Sequence, residues 1–296
     1  MSHYTVAVIT PSLNDVEHLL APFQQNNLSD CPKEYLTFVD IEPEYRLRYE
    51  TETAEYIELE KGELVSPDDP IFRKPIIGEL ISIQEVPTQL KRVQIPHTQV
   101  YASFDDFMVQ FIGYRSKDQK TGTWGYWENS NAKWDWWEIG GRWSNMLLLR
   151  TGEQVNAAKL KDIFFVEQDT CEGVTVEVEG MRIPAALAPK FQIGAAEASE
   201  EWDAVMAGKG FFKFSNPASY LKRYVDKQGF FRHLVSISTY AVVTPDGAWH
   251  ASGEMGWFGI GSETPEAARD FSTSYYDTFI KNANPEHYLV IVDCHI

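Results

Sequence analysis

The sequence predicts an α+β fold whose core is ferredoxin-like, β-α…β-β-α-β, assembled from the two ends of the chain. Three observations lead to it. The opening run HYTVAVIT has strand length and β-rich composition, and PSLNDVEHLLAPF after it spaces Val16, Leu19, Leu20 and Phe23 along one helical face. Near the other end, TYAVVTPDGAWHAS reads as a hairpin turning at Pro245-Asp246-Gly247. SETPEAARDFSTSYYDTFIKNA then begins with a capping residue, Pro and two Glu and carries an apolar stripe, and HYLVIVDCHI is a closing strand. The expected topology sets the second hairpin strand, which bears His250, parallel to the first strand, with the last strand antiparallel to the first. Val6, Val8, Tyr288, Val290, Val292 and Cys294 then face the helices, and His3, Thr5, Asp293 and His295 take the other face.

The domain expectation is one elaborated domain, 1–296, with residues 1–25 and 239–296 as the core and 26–238 as a long mixed insertion. Within the insertion, the acidic stretch YETETAEYIELEKGELVSPDDP reads as a solvated loop or edge. SFDDFMVQFIGY reads as a short helix capped by Ser103. Met146–Leu149, KDIFFVEQ and GVTVEVEGMRI read as strands, and AAEASEEWDAVMAG and NPASYLKRYVDKQ as helices.

Composition narrows the function classes. The chain is 296 residues long, 44% apolar, and carries a net charge of −17. A protein this acidic disfavours a polynucleotide partner, which needs a basic track, but one local arginine and a few amides still accommodate a small anion. The three cysteines, Cys31, Cys171 and Cys294, are scattered without a CxxC, which predicts a reduced cytoplasmic protein and no cysteine metal site. The N-terminal run has no basic leader and is too short for a membrane anchor. No cofactor and no metal are expected; homo-oligomerisation is left open.

Three features carry candidate chemistry. Two H-x-[ST] pairs, His3-Tyr4-Thr5 and His250-Ala251-Ser252, converge with Asp293-Cys294-His295 on one sheet face in the expected topology. His3, His250 and His295 are then general acid/base candidates, with Thr5 and Ser252 holding a phosphate oxygen and Asp293 orienting an imidazole. The plainer reading makes His3 a frayed terminal residue and His250 a hairpin-surface one. The loop GEMGWFGIGSETPEAA brings Gly256, Gly259 and Gly261 to a helix start, where free N–H groups attract an anion; an ordinary loop and cap is the alternative. The block KWDWWEIGGRW places Trp134, Trp136, Trp137 and Trp143 beside Gly140-Gly141 and Arg142, so that indoles stack on a base and a guanidinium clamps phosphate. A sugar ligand and a tryptophan-rich core in which Arg142 pairs with a carboxylate are the competing readings.

The paired H-x-[ST] motifs are similar to those of two-histidine phosphoesterases, although here they lie far apart and the tandem repeat is missing. Over nearly its whole length, through KWDWWEIGGRW, CPKEYLTF and the terminal VIVDCHI, the chain resembles a family of hypothetical proteins of bacteriophages and plasmids. That resemblance implies a mobile-element origin and, by analogy of lifestyle, action against host defence. The resulting expectation is a phage-type counter-defence protein of the host cytoplasm that binds a cyclic-nucleotide immune messenger and hydrolyses its phosphodiester without a metal. The alternatives are a non-catalytic sponge for such a messenger and an acidic inhibitor of a host protein.

Overall fold

A computed structural model describes residues 2–77, 81–114, 116–167, 175–178, 180–209, 216–256 and 260–296. The fold is α+β, and the chain forms two compact units, Met1–Leu36 with Asn129–Ile296, and Thr37–Glu128.

The larger unit is built on a mixed sheet. Its strands are β1 (His3–Thr10), β2 (Trp136–Ile139), β3 (Ala157–Lys159), β4 (Ala241–Val243), β5 (Trp249–Ala251) and β6 (Tyr288–His295). The order is β3-β6-β1-β4-β5, and β2 joins β6 on the same edge as β3. β1 and β6 pair antiparallel along their whole length, from His3↔His295 to Thr10↔Tyr288. The two chain ends therefore form the centre of the sheet.

The structure corrects the expected topology at two points. The parallel neighbour of β1 is the first hairpin strand, β4, through Val6↔Ala241 and Val8↔Val243, and β5 is pushed to the edge. The two flanking helices also cover opposite faces. α1 (Val16–Leu20) packs with Val6, Val8, Val290 and Val292, whereas Tyr275 and Ile280, from the helical segment near the C-terminus, pack with Ala7, Ile9, Leu289 and Ile291. The reason lies in the strands themselves. TVAVI and LVIV are continuous apolar runs that demand cover on both faces, since each Val or Ile removed from water contributes about 1.5–3 kcal/mol.

The same unit holds a third apolar cluster, away from the two sheet faces, around the hairpin Thr175–Val178 and Met181–Pro184, with Ile183, Phe191, Trp202, Phe230 and Phe231 buried. Its helices are α2 (Ala188–Met206), α3 (Pro217–Tyr224) and α4 (Lys227–Val235), followed later by α5 (Pro265–Tyr275). Asn216, Asp226 and Thr264 cap α3, α4 and α5 by accepting from backbone N–H groups of the first turn. KDIFFVEQ is not a ladder strand: residues Leu160–Asp162 form a 3-10 turn, and Ile163 makes one bridge to Leu149.

In Thr37–Glu128, the stretch expected to be a solvated loop or edge contains the strand Thr53–Glu58, paired antiparallel with Lys91–Pro96. Its glutamates are neutralised from across the ladder, Glu55 by Arg92 and Glu58 by Lys91, while Ile57 is fully buried. Phe104, Phe107, Met108 and Trp124 form the core there, and Ser103 caps the helical turn Phe104–Phe107 as expected. No described helix is long and apolar enough to cross a membrane.

Candidate functional site

At the end of the sheet where β1 begins and β6 finishes, the apolar runs give way to His3, Thr5, Asp293 and His295. His3 Nδ1 donates to Asp293 Oδ1 at 2.9 Å, across two paired strands. Asp293 is 1% exposed, and its second oxygen accepts the main-chain N–H of Arg142 at 3.0 Å. A carboxylate this deep is tolerable because both oxygens are engaged.

His295 has a carboxylate of its own. Its Nδ1 donates to Asp135 Oδ1 at 2.5 Å, and the Asp135 N–H donates to the His295 carbonyl at 2.9 Å. The aspartate is thus fixed by main chain to the residue whose ring it orients. Asn27 Nδ2 donates to its other oxygen at 3.4 Å. The two imidazoles meet edge to face with centroids 5.0 Å apart, and His3 meets Trp136 at 6.5 Å. With Nδ1 of both rings committed to carboxylates, Nε2 is the nitrogen each ring offers to a ligand.

His3, His295, Asp135 and Trp136 line an open depression of about 490 Å³, bounded further by Gln25, Asn27, Leu28 and Asp30. The loop carrying those residues is held in place because the Gln25 N–H donates to the Trp134 carbonyl at 2.7 Å and Trp134 Nε1 donates to the Leu20 carbonyl at 3.1 Å.

The aromatic block divides by face, and within β2 alternation separates Trp136 from Trp137. Trp134 is buried in the core under α1, and Trp137 packs on the same cluster beside Cys294. Trp136, opposite His295 in the register, stands 48% exposed at the depression. Trp143 packs on the other apolar cluster. The Gly-Gly-Arg that follows does backbone work. Gly140 and Gly141 take φ of +80° and +50°, and a Cβ on Gly141 would overlap Asp293. That close approach delivers the Arg142 N–H to Asp293. The Arg142 side chain is exposed and is not part of the depression's lining.

His3, His295 and Trp136 are brought together. His250 is not: it pairs with Val242, level with Ala7, and its ring packs on Phe279 at 5.2 Å. From His3 that is four residues further along β1, on the order of 13 Å, and two strands across. The cause is the strand order, which places β5 at the edge and runs it opposite to β1. Thr5 is buried, and its Oγ1 accepts the Tyr240 N–H at 3.2 Å, extending the β1–β4 ladder. Ser252 follows β5 at the far edge of the sheet. Gly259 lies outside the described residues. Gly261 bridges Met255, and the Glu263 carboxylate occupies the space beside it, so an anion finds no opening there.

Sequence reasoning offers Asp135 only as a bonding partner for a sugar at the aromatic block, and does not single out Gln25, Asn27 or Asp30. Asp135 precedes β2, so no period-two pattern in the sequence marks it for this wall. Among the described residues, no cluster of three or more His, Cys, Asp or Glu side chains is arranged to hold a metal ion. No family model, no curated protein and no solved structure matches this chain.

Proposed function

We propose that this protein binds a small nucleotide-type ligand at the His3–His295 depression and cleaves its phosphodiester by general acid–base catalysis. The observation that carries this reading is the pair of imidazoles, each oriented by a carboxylate through Nδ1 and set edge to face at 5.0 Å. In the proposed reaction the neutral ring accepts the proton of the attacking oxygen at Nε2. That oxygen forms a bond to phosphorus as the bond from phosphorus to the leaving oxygen breaks, and the protonated ring gives its proton to the leaving oxygen. Two histidines in opposite protonation states contribute about 10²–10⁴-fold each and need no metal for the proton transfers. Asp293 and Asp135 stabilise whichever imidazolium forms, and the exposed face of Trp136 supplies a surface on which a base stacks.

As a cytoplasmic counter-defence protein of the phage and plasmid type, its ligand is a cyclic-nucleotide immune messenger. The acidic net charge favours such a small ligand over long RNA or DNA.

The test is incubation of the protein with a panel of cyclic oligonucleotides, followed by heat denaturation and chromatography. A linear product that disappears in His3→Ala and His295→Ala supports cleavage. Intact ligand recovered only after heating replaces cleavage by sequestration, with Trp136 and the pocket retained. Neither binding nor product across the panel overturns both readings and leaves capture of a host protein as the activity to test.

A further inference from the structure

Away from the histidine depression, α3, α4 and α5 enclose a cavity of about 400 Å³ lined by Arg223, Arg232 and Arg269, one from each helix. Such a concentration of guanidinium groups stands out in a chain of net charge −17. Among the described residues, no carboxylate pairs with Arg223 or Arg232, although many other surface cations are paired, as in Arg46–Glu42, Arg92–Glu55 and Lys227–Asp203. Arg269 is held in place by Asp270 at 2.9 Å and donates to the Lys222 carbonyl at 3.3 Å.

The acidic groups facing the cavity are Glu167 and Asp226, and Asp226 is engaged as the α4 cap, accepting the Gly229 N–H at 2.7 Å. With Arg269 paired to Asp270, the guanidinium groups of Arg223 and Arg232 are the cavity's cations without a carboxylate partner among the described residues. His233 adds a neutral imidazole to the wall, bonded through Nδ1 to Ser272 Oγ at 2.9 Å. Between α3 and α4 the chain turns at Val225 with φ of +71°, a conformation a β-branched residue takes only under constraint. The turn carries Arg223 and Arg232 to the same cavity.

We propose that this three-arginine cavity is a second binding site, for a small molecule bearing a diphosphate. A guanidinium presents a planar fork of donors that matches phosphate oxygens two at a time, and the forks of Arg223 and Arg232, on two separate helices, suit one phosphate each of a diphosphate. The hydroxyl of Ser236 adds a donor to the wall. The site shares no lining residue with the histidine depression, so it stands or falls independently of the catalytic reading.

Calorimetric titration of the full chain with inorganic pyrophosphate at low ionic strength tests it. The expected result is one saturable site whose affinity falls at least tenfold in Arg223→Gln and in Arg232→Gln, and is unchanged in His3→Ala. Both arginines are exposed, and melting temperatures matching the parent protein certify that the variants fold. The absence of saturable binding overturns the proposal, as does binding that survives both arginine substitutions or is lost in His3→Ala. Citrate binding as tightly as pyrophosphate overturns the assignment to phosphate.

Discussion

Gly141 lies flat against Asp293: a side chain on this glycine would occupy the space of the aspartate's Cβ and Oδ2. The contact joins the aromatic block to the last strand, and through Asp293 it reaches His3. A substitution that looks minor, Gly141→Ala, therefore strains the backbone at φ of +50° and displaces a buried carboxylate. The expected cost is roughly 1–3 kcal/mol of stability. Turnover should fall with it because His3 loses its orienting partner. Urea denaturation and a product assay on the purified variant check both effects, and parent-like values in both would remove Gly141 from the support of the site.

The histidines separate cleanly. His3→Ala and His295→Ala should each lower phosphodiester turnover by about two orders of magnitude or more. His250→Ala should leave turnover within about threefold of the parent, since that ring packs on Phe279 two strands from β1. A His250 variant as inactive as the other two would place the chemistry elsewhere on the sheet.

Much of this was legible in the residues, and the failures have physical causes. The pairing of HYTVAVIT with HYLVIVDCHI followed from the expected element order, and the convergence of His3, Asp293 and His295 from that order together with period-two alternation. The position of His250 did not follow, because a hairpin read from sequence does not say which of its strands pairs with β1. The continuous apolar runs did contain the hint that both faces are covered. Asp135 was out of reach for a different reason: it meets His295 from 160 residues away, through a strand pairing that only the folded edge of the sheet defines. Arg142 was singled out for its side chain, whereas the structure uses its main-chain N–H.

The neighbouring tryptophans should respond in opposite ways. Trp134 is 5% exposed and bonded to the Leu20 carbonyl, so Trp134→Ala opens a cavity and costs about 3–5 kcal/mol of stability. Trp136 is 48% exposed beside His3, so Trp136→Ala should leave the melting temperature within a few degrees. Its effect falls on ligand affinity, by about 1–3 kcal/mol for the loss of one stacked base. Thermal denaturation together with ligand titration distinguishes the two, and a Trp136 variant that melts early but binds normally would reverse the assignment.

His233 should set part of the acid stability of the larger unit. Burial, and then the charge of Arg223, lower its pKa to about 4. The unfolded chain protonates the same ring near 6.5, so between these values the unfolded state binds a proton that the folded state refuses. Stability contributed by the neutral ring is therefore fully present above about pH 6.5 and is lost as pH falls toward 4, by an amount on the order of 3 kcal/mol. His97, buried at 1% exposure with Nδ1 unpartnered and its pKa also lowered by burial, tilts the acid limb the same way from the smaller unit. The contribution of His233 is isolated by comparing urea melts of the parent and His233→Gln at pH 7, 5.5 and 4.5. Glutamine does not titrate and retains a polar group toward Ser272, so the stability difference between parent and variant should shift in the variant's favour as the pH drops. A difference that stays constant with pH would mean that the imidazole charges within the fold without penalty, and the neutral wall assigned to the arginine cavity would go with it.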